Sequence, residues 1–423
     1  MLAGLGLLLV YTLCSLVIQH LVAPRSAHIW NKGVLKSAKL TGHSWSDQST
    51  APTLQPPPRY IPGRPVVSSS NTSRPPLSTL VRDDEIVGDV QFLLDFAIVG
   101  FGKAGTTTMM DWLAAHPQIA IFSREVYQLV NQQPAKLVQE LYQDLPSDHG
   151  ILRGYKNPLE ISQKHVMEYY RKYWPHTKLL IGVRHPILWF ESLYNFRVQN
   201  LPPDQEMPDP NHLIGRCYSD RRNTCTEKGN FAYFLMNLGK TNGRSASSSS
   251  SNLTESIVGS YKSQWFNVSE VPYLSNPVFL YHLEEMQDSP NQLAVAVRDF
   301  LGLSSDLPPL PHRKPGFQIV DEAIRRDKEE QKIDICHAMY KPLREELLRM
   351  GTLGAQWIDQ EFLPSSSTIH VTDAFVPILS RWAVDPCTTT RKNAATIGGL
   401  RNPLRHDPVI RAALPLHISF QGQ

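Results

Sequence analysis

The sequence predicts an α/β fold: a doubly wound parallel sheet with helices on both faces and a P-loop-like strand–turn–helix near its start. Between residues 95 and 303, short apolar runs alternate with segments whose apolar residues recur at helical spacing. Such alternation is typical of parallel strands joined by crossover helices. In addition, the run Phe96–Val99 enters a glycine-rich turn and then an amphipathic segment that opens with three threonines.

Each predicted strand is a short, mostly apolar run, and a helical segment follows each one, so the strands are expected to run parallel. The strands are predicted at Asp95–Phe101, Ile119–Phe122, Leu152–Tyr155, Lys178–Val183 and Pro277–Tyr281. The helices are predicted at Thr106–Ala115, Ala135–Tyr142, Leu159–Tyr173, Ile187–Gln199, Gln292–Leu301 and Ile335–Arg349.

Composition divides the 423 residues into four parts. Residues 1–23 lack Asp, Glu, Lys and Arg and are predicted as a signal-anchor transmembrane segment. Residues 24–88 are rich in Pro, Ser, Thr and Arg, a composition that buries no core, and are predicted as a stalk. Residues 89–363 are predicted as the catalytic domain, with an insertion at 201–260, and residues 364–423 as a loosely structured tail.

The first segment has two interpretations. Leu2–Ile18 is nearly continuous in apolar character and about as long as the roughly 17 residues that a tilted span needs. A cleaved signal peptide is the alternative, although Pro24 makes a poor cleavage point. The cations that follow the segment would keep the C-terminal side cytoplasmic by the positive-inside rule. Glycosylation triplets favour the luminal side instead. They begin at Asn71, Asn252 and Asn267.

Charge and cysteine content exclude some classes of function. The chain has 42 basic and 39 acidic residues, so it carries no overall signature of a nucleic-acid-binding protein. No spacing of Cys and His indicates a metal site. Cys14 lies in the apolar segment, and the four other cysteines allow three pairings, with Cys217–Cys225 the most local. Cys336 is as well explained by a reduced, buried thiol.

The turn after the first predicted strand is an anion site, because free N–H groups and the positive end of a helix dipole meet there. Gly100-Phe-Gly-Lys-Ala-Gly105 fits the dinucleotide pattern G-x-G-x-x-G, and Glu125 follows at the distance of its acidic ribose partner. The nucleoside-triphosphate loop is excluded, because Lys103 precedes Gly105 instead of following it.

A second set of residues favours another ligand. The predicted strand Lys178–Val183 ends at Arg184-His-Pro186, and Ser192 follows in the next helix. An arginine fork and a hydroxyl at one end of a sheet suit a phosphate monoester. Because this is a second phosphate site, far along the chain from the first, it is not explained by a dinucleotide fold.

Together, K-A-G-T-T-T, the following W-L-A-A-H-P and R-H-P with Ser192 resemble the sulfotransferase superfamily, which uses 3′-phosphoadenosine 5′-phosphosulfate. The resemblance covers about Asp95 to Leu303. It implies in-line transfer of a sulfuryl group to a hydroxyl without a metal. It also implies a donor site, whose residues are Lys103, Ala104, Gly105, Thr106, Thr107, Thr108, Arg184, Ser192, Arg313, Lys314 and Gly316.

Two segments are similar to the membrane-anchored Golgi carbohydrate and heparan-sulfate-type branch. Glu125, two residues before Tyr127, matches the position of that branch's catalytic base, and Lys156 matches the lysine of its K-[ST]-P motif, with Asn157 in place of the hydroxyl residue. The resemblance therefore implies that Lys103, Glu125 and Lys156 are catalytic.

The expected protein is a single-pass type II Golgi membrane protein with a luminal catalytic domain, anchored through residues 2–23, that sulfates a carbohydrate hydroxyl. Its partners would be the donor nucleotide and a glycan or other hydroxyl acceptor, and not a nucleic acid. A tyrosyl-protein or lipid sulfotransferase is the alternative within the family. Outside it, an NAD-linked oxidoreductase and a non-catalytic nucleotide-binding protein remain open.

Overall fold

A computed structural model describes residues 74–146, 148–202, 205–215, 217, 224–239, 248–260, 273–311 and 322–388. All of them belong to one compact unit, Thr72–Gln423. For residues 248–252, 260 and 322–325 the structure describes the backbone and not the side chains.

The unit is built on a six-stranded sheet in which every pair of neighbouring strands is parallel. A separate antiparallel pair, β1 (Val81–Arg82) and β2 (Glu85–Ile86), precedes it. The sheet strands are β3 (Phe96–Gly100), β4 (Ile119–Glu125), β5 (Leu152–Lys156), β6 (Lys178–Val183), β7 (Val278–His282) and β8 (Ile369–His370). Their order across the sheet is β4-β5-β3-β6-β7-β8.

Helices connect and flank these strands. They are α1 (Leu77–Leu80), α2 (Thr106–Ala114), α3 (Pro134–Asp144), α4 (Lys164–Tyr173), α5 (Pro186–Asn200), α6 (Phe231–Leu235), α7 (Ser248–Ser260), α8 (Glu285–Asp288), α9 (Pro290–Leu301), α10 (Glu322–Glu330), α11 (Lys341–Trp357) and α12 (Phe375–Ser380). The predicted fold class, a doubly wound parallel α/β sheet, is confirmed. The predicted helix Leu159–Tyr173 begins at Lys164 instead, because a separate 3₁₀ turn occupies Glu160–Ser162.

Both faces of the sheet are buried, which is why its central strands are apolar without alternation. In β3, Ala97 and Val99 join the core on one face, while Phe96 and Ile98 join the core on the other. The first core is completed by side chains of α3, α4, α5 and α11, and the second by those of α2 and α9. Helices therefore cover both faces.

The strand order bears on the dinucleotide alternative. If the six strands of the sheet are numbered in chain order from β3, their order across the sheet is 2-3-1-4-5-6. The second of them, β4, is an edge strand. The dinucleotide-binding fold has the order 3-2-1-4-5-6, so that the acidic residue after its second strand lies beside the first. Here β5 separates Glu125, the last residue of β4, from β3.

The packed region extends beyond both boundaries expected from the sequence. At the start, Arg74 donates to the carbonyls of Tyr142, Leu145 and Pro146, so the stalk expected at 24–88 is wrong for residues 74–88. At the other end, the loose tail expected from 364 is wrong for residues 364–388. Strand β8 pairs with β7, and Trp382 is buried.

The expected insertion 201–260 is also partly core. Phe231, Leu235 and Leu238 are buried in the same cluster as β3 and β6, so the short segment around α6 is part of the main packing. The chain can fold around such a segment because apolar burial contributes about 1.5–3 kcal/mol for each large side chain.

Two disulfides resolve the pairing that the sequence left open. Cys217 is bonded to Cys225, and Cys336 to Cys387. The second bond ties the segment after α12 to the chain before α11, across 51 residues of sequence. Closing a loop of that length removes roughly 4 kcal/mol of conformational freedom from the unfolded chain in the entropic account.

Within the described residues, no helix is long and apolar enough to cross a membrane. The predicted anchor at 1–23 lies outside those residues, as do the triplets that begin at Asn71 and Asn267. Asn252 falls in α7, in the part whose side chains are not described.

A buried carboxyl group behind β5 predicts how the stability of this fold depends on pH. Glu160 accepts hydrogen bonds from Tyr155 (2.9 Å) and Tyr170 (2.7 Å), and burial raises its pKa to about 8 although both hydrogen bonds oppose the shift. The glutamate carboxyl of an unfolded chain ionises near pH 4.3. Between these two values the native state holds the extra proton, so the free energy of unfolding falls as pH rises.

We therefore expect Glu160→Gln to flatten the fall in stability between pH 5 and pH 8, since glutamine keeps the shape and removes the ionisation. Urea unfolding at several pH values measures the slope. Glu168→Gln, on helix α4, is the control and should keep the wild-type slope. Equal slopes for wild type and Glu160→Gln would contradict the assignment.

Candidate active site

The glycine-rich turn after β3 has the backbone of an anion-binding loop. Lys103 and Gly105 both have positive φ angles, 69° and 80°, and the first bond of helix α2 runs from the Met109 amide to the Gly105 carbonyl. The amides of the residues before Met109 therefore have no partner within the helix and point out of its N-terminus. A left-handed lysine is uncommon, and such strain persists where the surrounding structure imposes it.

Helix α5 and Arg184, the residue that follows β6, both donate hydrogen bonds to this loop. The Trp189 indole donates to the Gly102 carbonyl at 2.9 Å, and Arg184 Nη1 donates to the Lys103 carbonyl at 3.4 Å. The carbonyl oxygens of Gly102 and Lys103 therefore accept hydrogen bonds from these two side chains. They do not compete with an anion for the amides of the loop.

The Lys103 ammonium lies over the Phe196 ring, with Nζ 4.4 Å from the ring centroid. Burial lowers the pKa of Lys103, and the charges of Arg184, Arg197 and Lys156 lower it further. The positive charges of three other side chains therefore act on the Lys103 ammonium. Like charges repel, and an anionic ligand would relieve the repulsion.

Beside the loop, an ion pair joins the ends of β4 and β5. Lys156 Nζ lies 2.7 Å from Glu125 Oε1 and 3.0 Å from the Thr107 hydroxyl, and only 2% of the lysine is exposed. Tyr127 donates a hydrogen bond to the other oxygen of Glu125. Burial raises the pKa of Glu125, but the hydrogen bonds from Lys156 and Tyr127 and the charge of Lys156 outweigh it, and the net pKa is below the ordinary value.

Arg184 follows the last residue of β6, the strand next to β3. Burial lowers the pKa of its guanidinium, and the carboxylates of Glu284 and Glu191 partly offset that effect. Its Nε is buried and has no hydrogen-bond partner in the described part of the chain. The backbone next to Arg184 is held in place by His185. Glu284 accepts a hydrogen bond from the His185 amide at 3.3 Å, and His185 Nε2 contacts the Val384 carbonyl at 3.1 Å.

The structure thus brings most of the sequence-predicted site residues to the carboxyl ends of three adjacent strands, β5, β3 and β6, and of the edge strand β4. Ala104 in the loop and Thr106, the first residue of α2, are buried, whereas Thr107 and Thr108 in the same helix are half-buried. Ser192 is half-buried on α5, and no described hydrogen bond joins it to Arg184. Arg313, Lys314 and Gly316 lie outside the described residues.

Of the side chains that α5 contributes to this region, the sequence singled out Ser192 and not Trp189 or Phe196. Trp189, Ser192 and Phe196 stand at i, i+3 and i+7, the spacing that places residues on one helix face. That periodicity, after an arginine that ends a strand, could have identified Trp189 and Phe196 as part of the site. No local sequence signal identifies Glu284. Its carboxylate acts on the charge of Arg184 because β7, which it follows, pairs with β6 in the sheet.

The glycines of the loop provide a matched pair of variants. A Cβ on Gly105 would lie 2.8 Å from Leu283 Cδ1 in addition to requiring a left-handed conformation, whereas a Cβ on Gly102 meets nothing within 4 Å. We expect Gly105→Ala to lower the free energy of unfolding by about 1–2 kcal/mol from the backbone conformation alone. Gly102→Ala should leave it unchanged or slightly higher. Urea denaturation measures both, and equal effects would contradict the loop geometry.

Comparisons with known proteins give a limited result. No family model matches the chain, and no curated protein matches it. Among solved structures, the chain is similar to a sulfotransferase from Alicyclobacillus acidocaldarius, with a TM-score of 0.35 and 15% sequence identity. That similarity covers 61% of this chain and 95% of the other. A TM-score this low decides neither fold nor activity, so both rest on the chain's own geometry.

Proposed function

We propose that this protein is a sulfotransferase that moves a sulfuryl group from 3′-phosphoadenosine 5′-phosphosulfate to an acceptor hydroxyl, with a carbohydrate as the acceptor. One observation carries the proposal: two cationic anion sites stand side by side at the ends of β3 and β6. The Arg184 guanidinium of one site contacts the Lys103 carbonyl of the other at 3.4 Å.

The donor's chemistry fits this pair of sites. A nucleotide with separate 5′ and 3′ anionic groups needs two positive regions that lie within one nucleotide of each other. The N–H groups and hydroxyls of Thr106–Thr108, with Lys103, suit the 5′-phosphosulfate. The buried, unpartnered Nε of Arg184 suits the 3′-phosphate. Ser192 is assigned to the same phosphate, as are Arg313, Lys314 and Gly316 through the family resemblance.

The donor supplies an activated sulfuryl group, and the protein's contribution is position and charge. In the transfer, a bond forms between the acceptor oxygen and sulfur while the bond between sulfur and the bridging oxygen breaks. The electron pair of the broken bond stays on the 5′-phosphate, which leaves as adenosine 3′,5′-bisphosphate. Lys103 stabilises the negative charge that grows on that oxygen.

Glu125 accepts the proton of the acceptor hydroxyl, and Lys156 orients the sulfuryl oxygens. The low pKa of Glu125 keeps the carboxylate ionised at neutral pH. Such a base takes the proton late, when bonding to sulfur has made the hydroxyl acidic. The hydrogen bond from Lys156 to Thr107 connects this pair to the loop that is proposed to hold the donor.

The two disulfides support a proposed location in an oxidising compartment, because such bonds persist in the secretory pathway and are rare in the cytosol. We therefore propose that the catalytic domain lies in the Golgi lumen and that residues 1–23 anchor it as a type II protein.

Lys103→Ala tests the chemical step. Transfer of radiolabelled sulfate from the donor to a panel of glycans should be measurable with the wild-type chain. Loss of one charge that stabilises the transition state lowers kcat by about 10²–10³. Because Thr106–Thr108 and Arg184 remain, the affinity for adenosine 3′,5′-bisphosphate should fall much less than kcat.

Lys136→Ala is the matched control, since Lys136 is an exposed lysine on α3, away from the loop. It should retain wild-type turnover. Near-normal turnover of Lys103→Ala would overturn the role of Lys103, and failure of the wild-type chain to use the donor with any acceptor would overturn the proposed activity.

A further inference from the structure

Two segments that lie far apart in the sequence are joined to each other beside α5. The first, residues 333–337, precedes α11, and the second, residues 384–387, follows α12. The Cys336–Cys387 disulfide links them covalently. We call this pair of segments the clasp. Because the link is covalent, a displacement of one segment is passed on to the other.

Arg344 of α11 holds the same two segments together by hydrogen bonds. Its Nη1 donates to the carbonyls of Ile335 and His337, at 2.7 Å and 2.9 Å. Its Nε donates to Asp385 Oδ2 at 3.0 Å, in an ion pair whose two side chains are mostly buried. The clasp is therefore fixed to α11 as well as closed by the disulfide.

The first segment of the clasp is hydrogen-bonded to α5. Asn195 Nδ2 donates to the Ile333 carbonyl at 3.0 Å, and the Ile333 amide donates back to Asn195 Oδ1 at 2.9 Å. Glu191 Oε1 accepts from the Ile335 amide at 3.1 Å. Glu191 and Asn195 stand at i and i+4, so these bonds reach α5 on one of its faces.

The second segment is bonded to the residue at which α5 begins. His185 Nδ1 accepts a hydrogen bond from the Ile187 amide at 3.3 Å and so caps the helix. The ring proton is therefore assigned to Nε2, which lies 3.1 Å from the Val384 carbonyl and donates to it. Burial lowers the pKa of His185, although its backbone hydrogen bonds and nearby carboxylates oppose the shift. The neutral ring thus joins the cap to the clasp.

Helix α5 lies between the clasp and the donor loop. Its Trp189 donates to the Gly102 carbonyl of the loop at 2.9 Å. A helix turns by roughly 100° for each residue, so Trp189 and Phe196 share one face, whereas Glu191 and Asn195 lie on another. The clasp therefore contacts the side of α5 that the donor loop does not.

The residues proposed to hold the 3′-phosphate sit at the points that the clasp holds. Arg184 directly precedes His185, and Ser192 directly follows Glu191. Arg184 makes a hydrogen bond of 3.4 Å to the Lys103 carbonyl, and its Nε has no hydrogen-bond partner in the described part of the chain. Its place is thus set largely by the backbone. Charge-assisted recognition needs positions held to about 0.5 Å.

We propose that the clasp positions Arg184 and Ser192 for the 3′-phosphate of the donor nucleotide. The Cys336–Cys387 disulfide and His185 are then positioning groups, which act through the backbone of α5 and not by contact with the nucleotide. The proposal rests on the proposed function, because that function assigns Arg184 and Ser192 to the 3′-phosphate. It adds the part of the chain on which selection of a 3′-phosphorylated nucleotide depends.

The test measures the preference of the full chain for adenosine 3′,5′-bisphosphate over adenosine 5′-monophosphate by titration calorimetry. A wild-type preference of about tenfold should fall to about threefold or less in the double variant Cys336→Ala/Cys387→Ala. A general loss of stability lowers the folded fraction for both nucleotides alike and leaves the ratio of affinities unchanged. The matched control is Cys217→Ala/Cys225→Ala, which removes the other disulfide and should keep the wild-type preference.

Two further variants leave the disulfide in place. His185→Asn keeps an acceptor that can cap α5, but asparagine is too short to reach the Val384 carbonyl. Asn195→Ala removes both hydrogen bonds to Ile333. Each should lower the preference for the bisphosphate at least about twofold. Asn200→Ala changes an exposed asparagine of the same helix, whose amide donates to a carbonyl within α5, and should behave as wild type.

The outcomes separate the clasp from the proposed function. If the wild-type chain prefers the bisphosphate and the folded clasp variants keep that preference, the clasp does not position the site. An equal loss of preference in Cys217→Ala/Cys225→Ala would also overturn the proposal, because the effect would not be specific. If Cys336→Ala/Cys387→Ala does not fold, His185→Asn and Asn195→Ala decide the question. Equal binding of both nucleotides by the wild-type chain would instead refute the proposed function.

Discussion

The site depends on one constraint, the adjacency of β3 and β6 in a parallel sheet. The chain leaves β3 for the edge strand β4, returns to β5, and then crosses to β6 on the other side of β3. Connections leave in opposite directions at this point, so a crevice opens at the carboxyl ends of the strands. The glycine-rich turn and Arg184 lie at these two strand ends, and Arg184 supports the turn by its contact with the Lys103 carbonyl.

The charges in this crevice oppose folding unless an anion is present. The charges of Arg184, Arg197 and Lys156 act on the half-buried Lys103 ammonium, and the described ion pair of Glu125 is with Lys156. The backbone around this site is held by several bonds. His185, the residue after Arg184, is hydrogen-bonded to Glu284 and to the Val384 carbonyl, and the Cys336–Cys387 disulfide fixes the segment that follows Val384. A site of this kind exchanges some stability of the free protein for affinity, since a bound anion stabilises the native state by mass action.

Sequence patterns predicted the fold class, all five of the longer strands, and the loop with its lysine, because these features are local. Apolar runs, helical periodicity and a glycine turn are each readable within about 15 residues. The boundaries failed where tertiary contacts decide. Residues 74–88 and 364–388 have few strong local signals, yet Arg74 donates to three carbonyls and β8 pairs with β7. Glu284 and Arg197 were missed for the same reason, since their importance arises from distant neighbours.

The central claim is that the two strand ends form one site for a nucleotide that carries anions at both its 5′ and 3′ positions. The most direct measurement is titration calorimetry of the full chain with adenosine 3′,5′-bisphosphate, adenosine 5′-monophosphate and NAD, repeated with Arg184→Gln. We expect the bisphosphate to bind at least about tenfold more tightly than the monophosphate, the effect of a charge-assisted contact. We also expect Arg184→Gln to remove this difference and NAD not to bind. Equal affinity for the bisphosphate and the monophosphate, or tighter binding of NAD, would rule out such a site.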